Sequence, residues 1–387
     1  MQGGNAFWGY VREDGRVGTR NHIVVLACMD NVNPVVRAIS QLVAHTVPIT
    51  VWYGRGQFGR DADITTRALV GLGSNPNVAG VLVVGLEPVA TWRIASGIGE
   101  TGKLVEVVTV QESGGSISAV AEGARLAAKL VKEASRLHRE RVGVEHLVVG
   151  VECGGSDTTS GIAANPCIGM ISDHVVDHGG TVLLSETSEF MGAEHLLAQR
   201  ASTPAVARKI FEAVRRIEEE ALRRGVDIRG ANPVPDNIRG GLTTIEEKSL
   251  GAIAKGGTRP IQDVLEYAQR PTGRGLYIMD TPAPACESMT GLSAGGATLI
   301  LFATGVGNVI GDVLCPTVKV CGNPQTVAAM QDNIDVDVSG IIVSGTTMEE
   351  AAERLLVQTL DVGSGLLTAS EVFRQQETAI ARFEPTV

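Results

Sequence analysis

The chain has 387 residues, 44% of them hydrophobic and 4% aromatic, with 47 glycines and a formal net charge of −10. That length exceeds one ordinary core and implies two domains, and the acidic balance without a lysine-rich run argues against nucleic acid or an anionic membrane as partner. No apolar run reaches a bilayer span, no signal-peptide pattern opens the chain and its six cysteines lack C-x-x-C spacing, so a reduced, cytoplasmic chain is expected.

The first part alternates strand-like and helix-like segments. Residues 23–28 read as an aliphatic strand, 33–44 as a helix, 48–53 as a strand, 61–71 as a helix, and 78–84 and 104–110 as strands; a long amphipathic helix follows over 117–139. This βαβα order predicts a parallel sheet with right-handed crossovers, of Rossmann or flavodoxin type, over residues 1–142. A second α/β domain is expected over 143–387, with strands at 146–151, 181–184, 276–279, 298–302 and 317–320. Helices are expected at 204–224, from Thr244 onward, and at 261–268, 324–332 and 347–360. The fold class is therefore α/β, with two parallel-sheet, three-layer domains carrying helices on both faces.

In open parallel sheets, ligands gather where the carboxyl ends of strands enter glycine-rich loops. Several polar clusters sit at such ends. Gly54–Gly59 fits G-x-G-x-x-G, but the acidic residue of a dinucleotide site is missing at its spacing, Glu87 being too distant. No nicotinamide is expected, and Arg55 and Arg60 at this turn suit a small anion. Glu152 to Ser160 offers backbone N–H groups and hydroxyls, Ser156 among them, to a carboxylate or sulfonate. Cys153 there reads as nucleophile, ligand or core filler. Glu186 and Glu189 precede His195, a combination that moves protons or binds a divalent metal.

The stretch Asn237–Gly251, N-I-R-G-G-L-T-T-I-E-E-K-S-L-G, holds the hydroxyls of Thr243 and Thr244 in a capping-box pattern. Lys248 opposes the dipole of the helix start and implies an anionic partner. Asp280 ends a strand. Lys319 falls inside another, with Asp335 and Asp337 as possible counterions.

The runs Gly9–His22, Cys153–Asp157, Gly192–His195, Gly240–Gly251 and Met279–Pro282, in this order, resemble the large or C-terminal part of the altronate/galactarate dehydratase family. The resemblance covers nearly the whole chain. Sugar-acid dehydratases typically carry cysteines where Arg55 and Leu86 stand; the chain is similar instead to the family branch that releases sulfite from (2R)-sulfolactate. It implies a lyase acting by β-elimination on a small anionic 2-hydroxy acid. It further implies a separate small (alpha) subunit as partner, an oligomer, and a divalent metal such as iron(II), for which Glu186 and His195 are the candidate ligands. The alternatives are a sugar-acid dehydratase yielding a 2-keto-3-deoxy acid, and a non-catalytic acid-binding subunit. Glu186, His195 and Lys248 are expected to transfer protons and stabilise an enediolate, with Asp157 and Asp280 in support. Arg55 and Arg20 are expected to hold the sulfonate or carboxylate, because guanidinium forks match oxyanions. Cys153, Ser156, Thr243 and Thr244 are expected to complete the substrate contacts.

Overall fold

The computed structural model describes residues 4–384. In the N-terminal unit four strands form a parallel sheet in the order Thr46–Ile49, His22–Ala27, Val78–Gly85, Leu104–Thr109. Their aliphatic side chains are buried because helices cover both faces, as a parallel sheet requires. Helices Asn33–Leu42 and Ser116–Ala134 pack together in one layer, and Gly59–Gly73 and Pro88–Gly99 in the other. The second strand stops at Ile49 rather than continuing to Tyr53, and residues 50–58 form a loop. Gly54 (φ 113°) lets that loop lie on the first strand's end; a Cβ there would come 2.4 Å from the Cys28 carbonyl oxygen. Helix Pro88–Gly99 was not legible in the sequence. Glu87, weighed above as a nucleotide-binding acid, is its N-cap and accepts from the N–H groups of Val89 (2.6 Å) and Ala90 (2.8 Å).

The C-terminal unit is built on seven parallel strands in the order Ile261–Leu265, Gly275–Met279, Thr181–Leu184, Val148–Cys153, Leu299–Thr304, Thr317–Cys321, Val336–Asp337. The segment expected as a helix over 261–268 is the edge strand of this sheet. Pairing of Ile261 and Val264 with Leu276 and Ile278 overrides its weak local preference. Helices Asn165–Asp177 and Ala285–Ala294 and the short helix Glu194–Gln199 complete this unit.

The two units are welded together. Strand Ala6–Val11 pairs with Val17–Gly18 and with Glu140–Gly143, and Phe7 and Val17 enter the core of the C-terminal unit. Helices Gly59–Gly73 and Ala285–Ala294 touch so closely that a Cβ on Gly71 would lie 2.3 Å from the Ala294 carbonyl oxygen. Two fully buried asparagines cross this junction. Asn75 Nδ2 donates to the Ser293 (2.7 Å) and Ala297 (2.8 Å) carbonyls. Asn77 Nδ2 donates to the Thr298 (3.0 Å) and Leu314 (2.9 Å) carbonyls, while its Oδ1 accepts from the backbone N–H of Thr19 (2.7 Å). Replacing Asn77 by Ala strands several of these groups without solvent and should lower the unfolding free energy by about 3 kcal/mol. Urea titration measures this, and a change within experimental scatter contradicts the junction's role.

Candidate active site

The central strand Val148–Cys153 lies between Thr181–Leu184, to which the chain runs next, and Leu299–Thr304, reached only later. That is the topological switch point, and the carboxyl ends there form the floor of the site. Glu186, two residues past its strand, adopts a left-handed backbone (φ 67°, ψ 63°). A non-glycine residue stays there only if its surroundings hold it. Its N–H donates to Thr281 Oγ1 (2.8 Å), and the next N–H, of Thr187, donates to the Thr281 carbonyl (3.0 Å). The turn aims the carboxylate back at the end of the central strand, where Oε2 accepts from the Cys153 N–H (2.8 Å) and lies 2.8 Å from Lys255 Nζ. Lys255 Nζ is also 3.3 Å from Cys153 Sγ.

Lys255 has no solvent exposure. Glycines bring its backbone this close. A Cβ on Gly169 would sit 2.2 Å from the Ala254 carbonyl oxygen, so helix Asn165–Asp177 can press directly on the segment 254–257. Burial alone would lower the proton affinity of the ammonium; the acidic groups packed around it, Cys153, Glu186 and Glu152, outweigh that and raise it. Burial likewise pushes Glu186 up, and Lys255, 2.8 Å away, draws it back toward the carboxylate form. Glu152 is pushed well above the carboxylate range by burial and by the Glu186 charge. Its Oε2 accepts from Ser185 Oγ and Ser288 Oγ, both at 2.6 Å. Burial, reinforced by Glu186, also pushes the Cys153 thiol up, which removes it as a thiolate nucleophile.

Two further charge pairs flank this nest. Lys248 Nζ lies 2.9 Å from Glu189 Oε2 and donates to Asn232 Oδ1 (2.9 Å), so its anionic counterpart within the chain is Glu189. Asp280 accepts from Thr187 Oγ1 (2.9 Å) and from Arg216, while Arg60 of the N-terminal unit approaches it to 3.8 Å. Two guanidinium groups, each close to 40% exposed, thus share one carboxylate. The surplus positive charge lies one residue from Glu186, through Thr187.

Other expected residues serve the fold. Asp157 caps the helical segment after it, Oδ1 accepting from the Ser160 N–H (2.9 Å) and Thr159 Oγ1 (2.7 Å). Its Oδ2 accepts from Asn323 Nδ2 (2.8 Å) at the edge of a hollow of about 510 Å³ lined by Arg239, Gly240, Val306 and Asn323. The Ser156 carbonyl accepts from Asn237 Nδ2 (2.8 Å). Thr244 is the N-cap of helix Ile245–Ile253, its Oγ1 accepting from the Glu247 N–H (3.2 Å), while the Glu247 carboxylate accepts from the N–H and hydroxyl of Thr243 instead of closing the expected capping box. Arg20 is buried with its donors spent on Glu371 (2.7 and 2.9 Å) and on the carbonyls of Thr19, Val362 and Leu366. It has none left for a substrate. Arg55 is exposed and pairs with Asp30 (3.4 Å); Arg60, from the same turn, is the arginine that reaches the carboxylate cluster. His195 is exposed on its short helix, whereas Glu186 is buried.

Lys255, Glu152, Thr281, Ser288 and Arg216 were missed as site residues. Lys255 gives a faint sequence signal, because a basic residue at a helix end is the ordinary complement to the dipole. Glu186 and His195 do not fit a metal pair: the buried Glu186 carboxylate is taken by Lys255 and the Cys153 N–H, while His195 is exposed. Among the described residues, no three His, Cys, Asp or Glu side chains converge as metal ligands.

The family profile described as D-galactarate/Altronate dehydratase, C-terminal, matches residues 144–386; that of the D-galactarate dehydratase/Altronate hydrolase second domain matches residues 9–135. The chain is 41% identical to the (2R)-sulfolactate sulfo-lyase subunit beta of Chromohalobacter salexigens over 98% of both chains. It is 31% identical to the altronate dehydratase of Bacillus subtilis, over 97% of this chain and 77% of that one. With the galactarate dehydratase (L-threo-forming) of Escherichia coli it shares 33% identity, over 94% and 73%.

Removing one member of a buried ion pair strands the other. Lys255→Met should therefore cost about 3–5 kcal/mol of stability, and adding Glu186→Gln should recover part of it. Urea unfolding of the single and double variants reads this; additive losses contradict the pairing.

Proposed function

The chain belongs to the D-galactarate/altronate dehydratase family, and on that footing we propose that it is the large subunit of a lyase converting (2R)-3-sulfolactate to pyruvate and sulfite. The observation that carries this reading is the end-to-end match, 98% of both chains, with a sulfo-lyase subunit beta. With the two sugar-acid dehydratases the identity is lower, 31% and 33%. The name of that relative implies a second subunit, and we assign this chain a small partner in a cytoplasmic oligomer. Among the described residues no helix is long and apolar enough to cross a membrane.

The chemistry asks for a base, a cation beside the developing enediolate and a place for a doubly anionic substrate. Glu186 is the base. Burial strengthens it, and Lys255 keeps it ionised until it takes the proton from C2. The C2–H electrons form the enediolate, which Lys255 and Lys248 stabilise in their buried, low-dielectric surroundings. Those electrons then expel sulfite from C3. Sulfite leaves as an anion without a proton, so no strong general acid is needed at that carbon. The enol that remains takes a proton at C3 and becomes pyruvate. Arg60 and Arg216, two cations on one carboxylate, draw the substrate's negative charges toward Glu186.

With its small partner, the chain should release sulfite from (2R)-3-sulfolactate; release of a keto acid from altronate or galactarate without sulfite supports the dehydratase reading instead. Binding without turnover of any of the three acids sinks both. Arg60→Leu should raise KM for sulfolactate by roughly tenfold or more, whereas Arg55→Leu should leave it within about twofold. Steady-state kinetics of the two variants decides which arginine faces the substrate.

A further inference from the structure

The Arg60 guanidinium makes no hydrogen bond among the described residues. Asp280 Oδ2 stays 3.8 Å from it, and its central carbon lies over the Phe383 ring, 4.3 Å from the centroid. A long side chain that is 44% exposed loses much rotamer freedom when it is held in one direction, so something must hold it. Seating the cation on an aromatic face does so and uses none of its five N–H donors. Arg20 is the contrast, because the fold fills its donors. Arg55, from the same turn as Arg60, turns to Asp30 instead.

The place of Phe383 is set from both units. Strand Gln376–Glu377 pairs with Gly311–Asp312. The Ala379 N–H then donates to Thr290 Oγ1 (3.1 Å), and that of the buried Ala381 to Tyr267 Oη (3.3 Å), all within the C-terminal unit. From there the chain meets the N-terminal unit at Asp61, in the first turn of helix Gly59–Gly73. Phe383 N–H lies 3.0 and 3.1 Å from the two Asp61 oxygens, and Glu384 N–H donates to Oδ2 (2.8 Å). An aspartate there ordinarily serves the free N–H groups of its own helix. Asp61 is buried and gives both oxygens to residues 383 and 384 instead. Arg382 seats on Tyr53 of the loop 50–58, 4.1 Å from the ring centroid. The Phe383 carbonyl accepts from Arg224 Nη2 (2.8 Å), at the end of the helix Pro204–Arg223 that carries Arg216.

We propose that Phe383 is a positioning residue for the reaction: residues 376–384 form a strap, anchored in one unit and clamped by Asp61 of the other, that holds the ring against Arg60 and leaves the guanidinium fork open to an oxyanion of the substrate. This rests on the reading above, in which Arg60 faces the acid. Phe383 touches no reacting atom and acts through Arg60 alone. The strap crosses from one unit to the other where Arg60 approaches Asp280, so the same contacts that join the units also aim the arginine.

The test is Phe383→Leu in the two-subunit enzyme, which keeps apolar bulk and removes the aromatic face. KM for (2R)-3-sulfolactate should rise about fivefold while kcat stays within about twofold. Phe383→Tyr, which keeps the face, should hold KM at the wild-type value. In an Arg60→Leu background, Phe383→Leu should add nothing further to KM, since the ring has lost the group through which it acts. An unchanged KM in Phe383→Leu overturns the proposal, as does a fivefold rise that persists on top of Arg60→Leu. A tyrosine variant as impaired as the leucine one, or a leucine variant that fails to fold, assigns the ring to packing and overturns it too. Wild-type enzyme that releases no sulfite is a separate outcome: it removes the functional reading, and this proposal falls with it.

Discussion

A lysine ammonium with no access to water can stay charged only where fixed negative charge surrounds it, and that constraint organises the centre of this protein. Lys255 is satisfied by Glu186, and Glu186 is held in a left-handed turn by Thr281. Three strand ends and a helix must therefore arrive at the same point: the central strand with Cys153, the strand before Glu186, the strand before Thr281 and the helix carrying Lys255. The nearby glycines exist for the same reason. Gly169 and Gly251 allow backbone-to-backbone packing that any side chain would forbid. Such a centre is costly to build and weak as a stabiliser, since apolar residues would serve the core better. The proposed reaction asks for such a dry carboxylate beside a cation.

The N-terminal unit is not a spectator. Its buried asparagines fix the junction, and its helix Gly59–Gly73 delivers Arg60 to Asp280 on the other unit. Asp280 in turn reaches Thr187 beside Glu186. The positive surplus near Glu186 therefore depends on both units meeting in one geometry.

The parallel strands were legible because aliphatic runs bounded by glycine leave little alternative, and Thr181–Leu184 falls where the pattern placed it. The edge strand Ile261–Leu265 was not, since its short mixed sequence is settled by the neighbour it pairs with. Among site residues, Glu186 and Lys248 stood out by the clustering of charge around them. Glu152 and Lys255 were masked, one as the opening of a loop motif and the other as a helix-end lysine. Asp157, Thr243 and Thr244 carried an apparent functional signal that belongs to helix capping. Local hydrogen bonding uses the same residue types as a binding loop, and only tertiary partners separate the two. Arg55 and Arg60 share a turn, and which one faces inward depends on the seating of the loop on Cys28.

Glu186 as the group that takes the C2 proton is the claim on which the chemistry stands. Proton NMR of the substrate pool in D2O, during partial turnover by the two-subunit enzyme, tests it directly. Wild-type enzyme should wash deuterium into C2 of unreacted sulfolactate, and Glu186→Gln should abolish that exchange while still binding the acid. Exchange at the wild-type rate in the Glu186→Gln enzyme would place the base elsewhere.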